Sequence, residues 1–140
     1  MGFATQGKKV AASKPRLLLA DDHEEFLDEV SRLLESDFEL VGSARDGVEL
    51  VERAAELIPD AVVTDFKMPK LSGIVAGRKL VEKRVCLAVV LLTMYRDPQL
   101  VRDAMDAGIR GYVLKDRAGE DLIPAIHCAL DGQSFVSSLS

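Results

Sequence analysis

From Arg16 onward, short apolar runs alternate with amphipathic stretches, and this alternation limits the possible folds more than any other feature of the chain. The runs are Leu17-Leu18-Leu19-Ala20, residues 38–44, Ala61-Val62-Val63-Thr64, residues 87–92 and Tyr112-Val113-Leu114. Several are continuous rather than alternating, the pattern of strands covered on both faces in a parallel sheet. Between them, Phe26, Leu27, Val30, Leu33 and Leu34 share one helical face, as do Val48, Val51, Ala54, Ala55 and Ile58. Val101, Ala104, Met105 and Gly108 form another stripe, and Leu122, Ile123, Ile126, Ala129 and Leu130 one more. Residues 74–83 are less regular, with glycines nearby, and read as a helix chiefly because a parallel crossover needs one there. Pro59-Asp60 precedes the third run, Pro98 falls in the first turn of the fourth helix, and Gly108 and Gly132 stand where helices end. The expectation is an α/β chain, a single doubly wound sheet of five parallel strands sandwiched by five helices.

A chain of 140 residues suffices for one such domain, placed at residues 16–132. Residues 1–15 read as a disordered N-terminal tail, and 133–140 as the start of a linker or a C-terminal tail. The opening residues lack the apolar stretch of a secretory signal, and Met1-Gly2 is followed by Gln6 where myristoylation requires Ser or Thr. The longest apolar run, residues 85–92, falls far short of the ~20 residues of a membrane helix, so no membrane association is expected. Lys and Arg number 18 against 23 Asp and Glu, a net charge of −5 that argues against nucleic acid binding by this domain itself. Cys86 and Cys128 show no metal-ligand spacing and read as reduced thiols of a cytoplasmic protein.

Ligands of open parallel sheets bind outside the carboxyl ends of the strands. There the first strand delivers Asp21-Asp22, the third Asp65, the fourth Thr93 and the fifth Lys115. Singly, an Asp after a strand is ordinarily a helix cap or turn former, and a Lys a solvated charge. Jointly they gather carboxylates, a hydroxyl and an ammonium at one edge. Two carboxylates about 4 Å apart repel by ~4 kcal/mol at an effective dielectric near 20, so three must raise a pKa or recruit a cation. Oxygen ligands suit a hard divalent ion such as Mg²⁺. Three Asp and one Lys sum to two negative charges, which Mg²⁺ neutralises. An incoming phosphoryl group would then meet a metal, an ammonium and a hydroxyl, the charge clamp of phosphoryl transfer, with an Asp as nucleophile.

Asp21-Asp22, Asp65-Phe66-Lys67-Met68-Pro69 with Gly73 downstream, Leu92-Thr93 and Tyr112-Val113-Leu114-Lys115 together resemble the CheY-like receiver domain of bacterial response regulators. The Leu92-Thr93-Met94 and Lys115-Asp116 segments are similar to the NarL/FixJ branch. The resemblance runs over about 16–132 and implies a flavodoxin-like strand order 2-1-3-4-5. It implies Asp65 as phosphoacceptor for a sensor histidine kinase, with Mg²⁺ held by Asp22, Asp65 and the Lys67 carbonyl, and by Asp21 through water. It also implies phosphoryl contacts from Thr93 and Lys115, a Thr93–Tyr112 switch, and Met68, Pro69 and Gly73 as shapers of the loop. Implied in turn are a homodimer on phosphorylation, at most slow self-dephosphorylation, and transcriptional output through a helix-turn-helix domain outside this chain.

Asp116 departs from the family's frequent cis proline and leaves the peptide geometry after Lys115 open. Lys67 and Tyr95 stand where the family tunes phosphoryl lifetime, His23 reads as an exposed helix-start residue, and His127 has no evident partner. A Mg²⁺-dependent phosphatase with an Asp nucleophile would need an acid where Lys67 stands. An FMN binder would need Ser, Thr and Gly donors where Asp21-Asp22-His23-Glu24-Glu25 would repel a phosphate. Remaining alternatives are a stand-alone receiver acting by protein–protein contact and a degenerate receiver without phosphorylation, which the complete residue set disfavours.

Overall fold

The computed structural model describes residues 13–140, so most of the expected tail at 1–15 lies outside the described residues. The apolar runs become β1 (Arg16–Ala20), β2 (Glu39–Ala44), β3 (Ala61–Asp65), β4 (Val89–Thr93) and β5 (Gly111–Leu114). Between them lie α1 (Glu24–Leu34), α2 (Gly47–Leu57), α3 (Gly73–Glu82) and α4 (Pro98–Asp106). A 3₁₀ turn over Lys115–Arg117 leads into α5 (Ala118–Leu130), and β6 (Phe135–Val136) follows. All strands pair in parallel, in the order β2-β1-β3-β4-β5-β6.

The expected five strands are therefore corrected to six. The added strand has two residues and no hydrophobic period of its own; its partner defines it. Gly111 pairs with Phe135 and Tyr112 with Val136, and the Ser137 N–H donates to the Tyr112 carbonyl at 2.8 Å. Ser137, buried beyond the strand, donates its hydroxyl to Asp121 (2.7 Å) and accepts the Leu114 N–H (3.2 Å). At the opposite end, the Pro15 carbonyl accepts the Glu39 N–H at 2.9 Å and ties the entry to β1 onto β2.

Strand alternation sorts the core into two layers. Leu17, Leu19, Val63, Val90, Leu92 and Val113 pack with Leu27, Val30 and Leu34 of α1 and Leu122, Ile126 and Ala129 of α5. Leu18, Val62, Val89, Leu91, Tyr112 and Leu114 pack with Leu50 of α2, Leu80 of α3 and Ala104 of α4. Asp46 caps α2 by accepting the Glu49 N–H, Ser72 caps α3 through the Val75 N–H, and Asp97 caps α4 ahead of Pro98. The irregular pattern of α3 has a steric origin, because its glycines face the sheet. A Cβ on Gly73 would lie 2.0 Å from the Asp65 carbonyl oxygen, so only glycine lets this helix start against the end of β3. Gly108 follows α4 at φ +92°, the left-handed conformation of a helix C-cap. Among the described residues no helix is long and apolar enough to cross a membrane.

Candidate functional site

β1, β3, β4 and β5 all end at the same edge, and the polar residues that close them converge there. β3 and β4 run one residue past their apolar stretches, so Asp65 and Thr93 are themselves strand residues, both buried. The Lys115 ammonium bridges two carboxylates, donating to Asp21 Oδ2 at 3.0 Å and standing 3.3 Å from Asp65 Oδ2. Asp22 lies at the mouth of the site, with a third of its side chain exposed. Donor atoms of Asp21, Asp22, His23 and Asp65 all lie within 4.8 Å of one another. A cleft of about 560 Å³ opens onto this cluster, lined by Asp22, Asp65, Lys67, Thr93, Tyr95 and Lys115 among others. Every candidate metal or phosphoryl residue read from the sequence thus lies in or beside one cleft.

The electrostatics follow from burial. Desolvation raises the Asp65 carboxyl above its ordinary value, the Asp21 carboxylate adds to the rise, and Lys115 partly offsets both. Three carboxylates against one ammonium leave excess negative charge in a half-closed cleft. The donor set is mostly carboxylate oxygen, with the Lys67 carbonyl on the adjoining loop, and so fits a small hard divalent cation. His23 sits at the N-cap of α1 with 71% of its side chain exposed; its Nδ1 stands 3.2 Å from both Asp21 and Asp22.

Thr93 and Tyr112 both hydrogen-bond the backbone of one residue, Tyr95. Thr93 Oγ1 accepts the Tyr95 N–H at 3.3 Å, and the Tyr112 hydroxyl donates to the Tyr95 carbonyl. The Tyr112 ring is fully buried, and burial pushes its hydroxyl pKa up to about 12. Tyr95 also packs edge-on against Phe66, the residue after Asp65, with ring centroids 5.8 Å apart. Tyr95 is therefore a junction between the Asp65 loop and β5.

Other participants escaped the sequence reading. The Phe26 ring lies beneath the Lys115 ammonium, 4.4 Å from Nζ to its centroid. Arg96 and Asp116 pair at 2.9 Å, joining the loop after β4 to the 3₁₀ turn after β5. The peptide after Lys115, open in the sequence, is trans and begins the 3₁₀ turn. His127 packs on Phe38, with ring centroids 5.3 Å apart. The buried Cys86 thiol, raised to about 11 by desolvation, donates to the Asp60 and Ala88 carbonyls and has the character of a core residue.

Comparison with known proteins bears on the family and the fold. The chain is 40% identical over 130 residues to the transcriptional regulatory protein PdtaR of Mycobacterium tuberculosis, covering 92% of this chain and 63% of that protein. It is 30% identical over 131 residues to the transcriptional regulatory protein DegU of Brevibacillus brevis, again over 92% of this chain but 56% of the relative. The chain thus spans somewhat over half the length of these curated relatives. A two-component response regulator of the LuxR family from Aurantimonas superposes with a TM-score of 0.83 at 30% identity, over 89% of this chain and 91% of that one. With residues 17–127 matching the family described as the response regulator receiver domain, the chain belongs to that family.

Proposed function

We propose that this receiver accepts a phosphoryl group on Asp65 from a sensor histidine kinase, with Mg²⁺ in the acidic cleft. The observation that carries the reading is the placement of Lys115, whose ammonium reaches both Asp21 and Asp65 at the edge where β1 and β3 end. Asp22, Asp65 and the Lys67 carbonyl would hold the ion, with Asp21 acting through a water. When bound, Mg²⁺ supplies neutralisation of charge on the phosphoryl oxygens.

The chain's own residues carry the remaining work. An Asp65 carboxylate oxygen attacks phosphorus while the phosphorus–nitrogen bond of a phosphohistidine breaks. The bonding pair leaves with the imidazole nitrogen, which takes up a proton, and Asp65 becomes a mixed anhydride. Lys115 and Thr93 would meet the oxygens of the transferred group. Drawing the Thr93 hydroxyl toward Asp65 would release the Tyr95 N–H and shift the peptide that holds Tyr112. That change biases two arrangements of the α4–β5 surface around Leu100, Val101 and Met105, the means by which phosphorylation would alter self-association or output. The printed names of PdtaR and DegU support an output in transcription, carried by a portion of protein outside this chain. No turnover beyond slow self-dephosphorylation is assigned, and the setting is cytoplasmic.

Intact-mass measurement after incubation with acetyl phosphate and Mg²⁺ tests the reading. The wild type should gain a single hydroxylamine-labile phosphoryl group, and Asp65→Asn should gain none. Persistent modification of Asp65→Asn would overturn Asp65 as acceptor.

A further inference from the structure

Lys115 has a third neighbour that is neither charged nor polar. Its ammonium lies 4.4 Å from the centroid of the Phe26 ring, which comes from the first turn of α1. The two carboxylates come instead from the ends of β1 and β3. A ring face carries negative electrostatic potential, and an ammonium within about 6 Å of it is attracted, more so when partly removed from water. Lys115 meets that condition, with only 15% of its side chain exposed. Phe26 is half-buried and also packs on the layer formed with α1 and α5, which fixes its ring.

These three neighbours respond differently to phosphorylation. Phosphorylation would replace the Asp65 carboxylate with an acyl phosphate, and a cation in the cleft would compete with Lys115 for Asp21. Phe26 alone offers an attraction that neither event alters. A lysine on a flexible four-carbon stem needs such a fixed reference if its ammonium is to meet the incoming phosphoryl oxygens.

We propose that Phe26 is a positioning residue for phosphoryl transfer, holding the Lys115 ammonium over its ring between Asp21 and Asp65. The proposal rests on the reading of Asp65 as phosphoacceptor. Phe26→Leu keeps an apolar side chain in the layer but removes the ring, whereas Phe26→Tyr keeps the ring face. Two readouts separate positioning from packing. The first is the NMR shift of the Lys115 ε-methylene protons, which the ring should displace upfield in the wild type and in Phe26→Tyr, but not in Phe26→Leu. The second is the rate of phosphorylation by acetyl phosphate with Mg²⁺. Phe26→Leu should be slower by roughly three- to tenfold, the rate equivalent of a partly desolvated cation–π contact, and Phe26→Tyr within about twofold of wild type. A wild-type rate in Phe26→Leu, or equal losses in both variants, would overturn the role of Phe26. A wild type that takes no phosphoryl group would instead overturn the function proposed for Asp65, and an undisplaced Lys115 signal in that same protein would overturn the contact itself.

Discussion

Asp65 is held in a state that folding alone does not favour. Its carboxyl is raised by burial and by Asp21, so the folded chain binds a proton at Asp65 more tightly than the unfolded chain does. The associated stability is fully present below the ordinary carboxylate value and is lost as pH rises through the higher folded value. Asp65→Asn removes the repulsion with Asp21 at neutral pH. It should raise stability there by on the order of 1 kcal/mol, with the gain shrinking as pH falls through the raised Asp65 value and vanishing below the ordinary carboxylate value of 3.8. Urea unfolding of both proteins across pH 3–8 checks this, and a gain that grows on acidification would contradict it. Asp21, Asp22, Asp65, Thr93 and Lys115 were legible because each follows an apolar run, and parallel strands send such residues to one edge. Phe26 was not, because an apolar residue in a helical stripe reads as core until its contact with Lys115 is seen. Tyr95 and the Arg96–Asp116 pair sit in loops, where no periodicity records which side chains meet.

At the level of elements, the five helices and the first five strands were written in the hydrophobic pattern, and α3 was the weakest because its glycines serve close packing rather than amphipathicity. β6 was invisible for a different reason. Its two residues gain their conformation from β5 and from the Ser137 hydroxyl, which bonds both Asp121 and the Leu114 N–H. Asp121 is lowered from its ordinary carboxylate value by Ser137 first and then by Arg117. A lowered carboxyl contributes stability above the unfolded value of 3.8 that is lost as pH falls through the folded one. Ser137→Ala leaves the Leu114 N–H without its side-chain partner and should cost about 1–3 kcal/mol in urea unfolding at neutral pH. The cost should diminish in acid, where Asp121 is protonated. Faster hydrogen exchange at the Leu114 amide should accompany it, and unchanged exchange would show that β6 does not depend on this hydroxyl.

Across the whole molecule, one sheet separates two apolar layers and leaves its chemistry at a single end. The layering was legible from continuous strand runs, and the strand order from the family resemblance. The far side of β5 was not. Gly111–Leu114 is buried along its whole length and carries Tyr112, Val113 and Leu114, and β6 with Ser137 meets its outer hydrogen-bonding groups. Such a segment, once bare, is a template on which another chain can add a strand. Residues 133–140 are therefore expected to guard against aggregation. A chain ending at Gly132 should fold yet form thioflavin-positive assemblies under mild heating, while the 140-residue chain stays clear. Light scattering at matched concentration measures the difference, and equal clarity in both samples would reject this guard. The same two-residue contact that escapes any sequence pattern would then set how long the protein survives in concentrated solution.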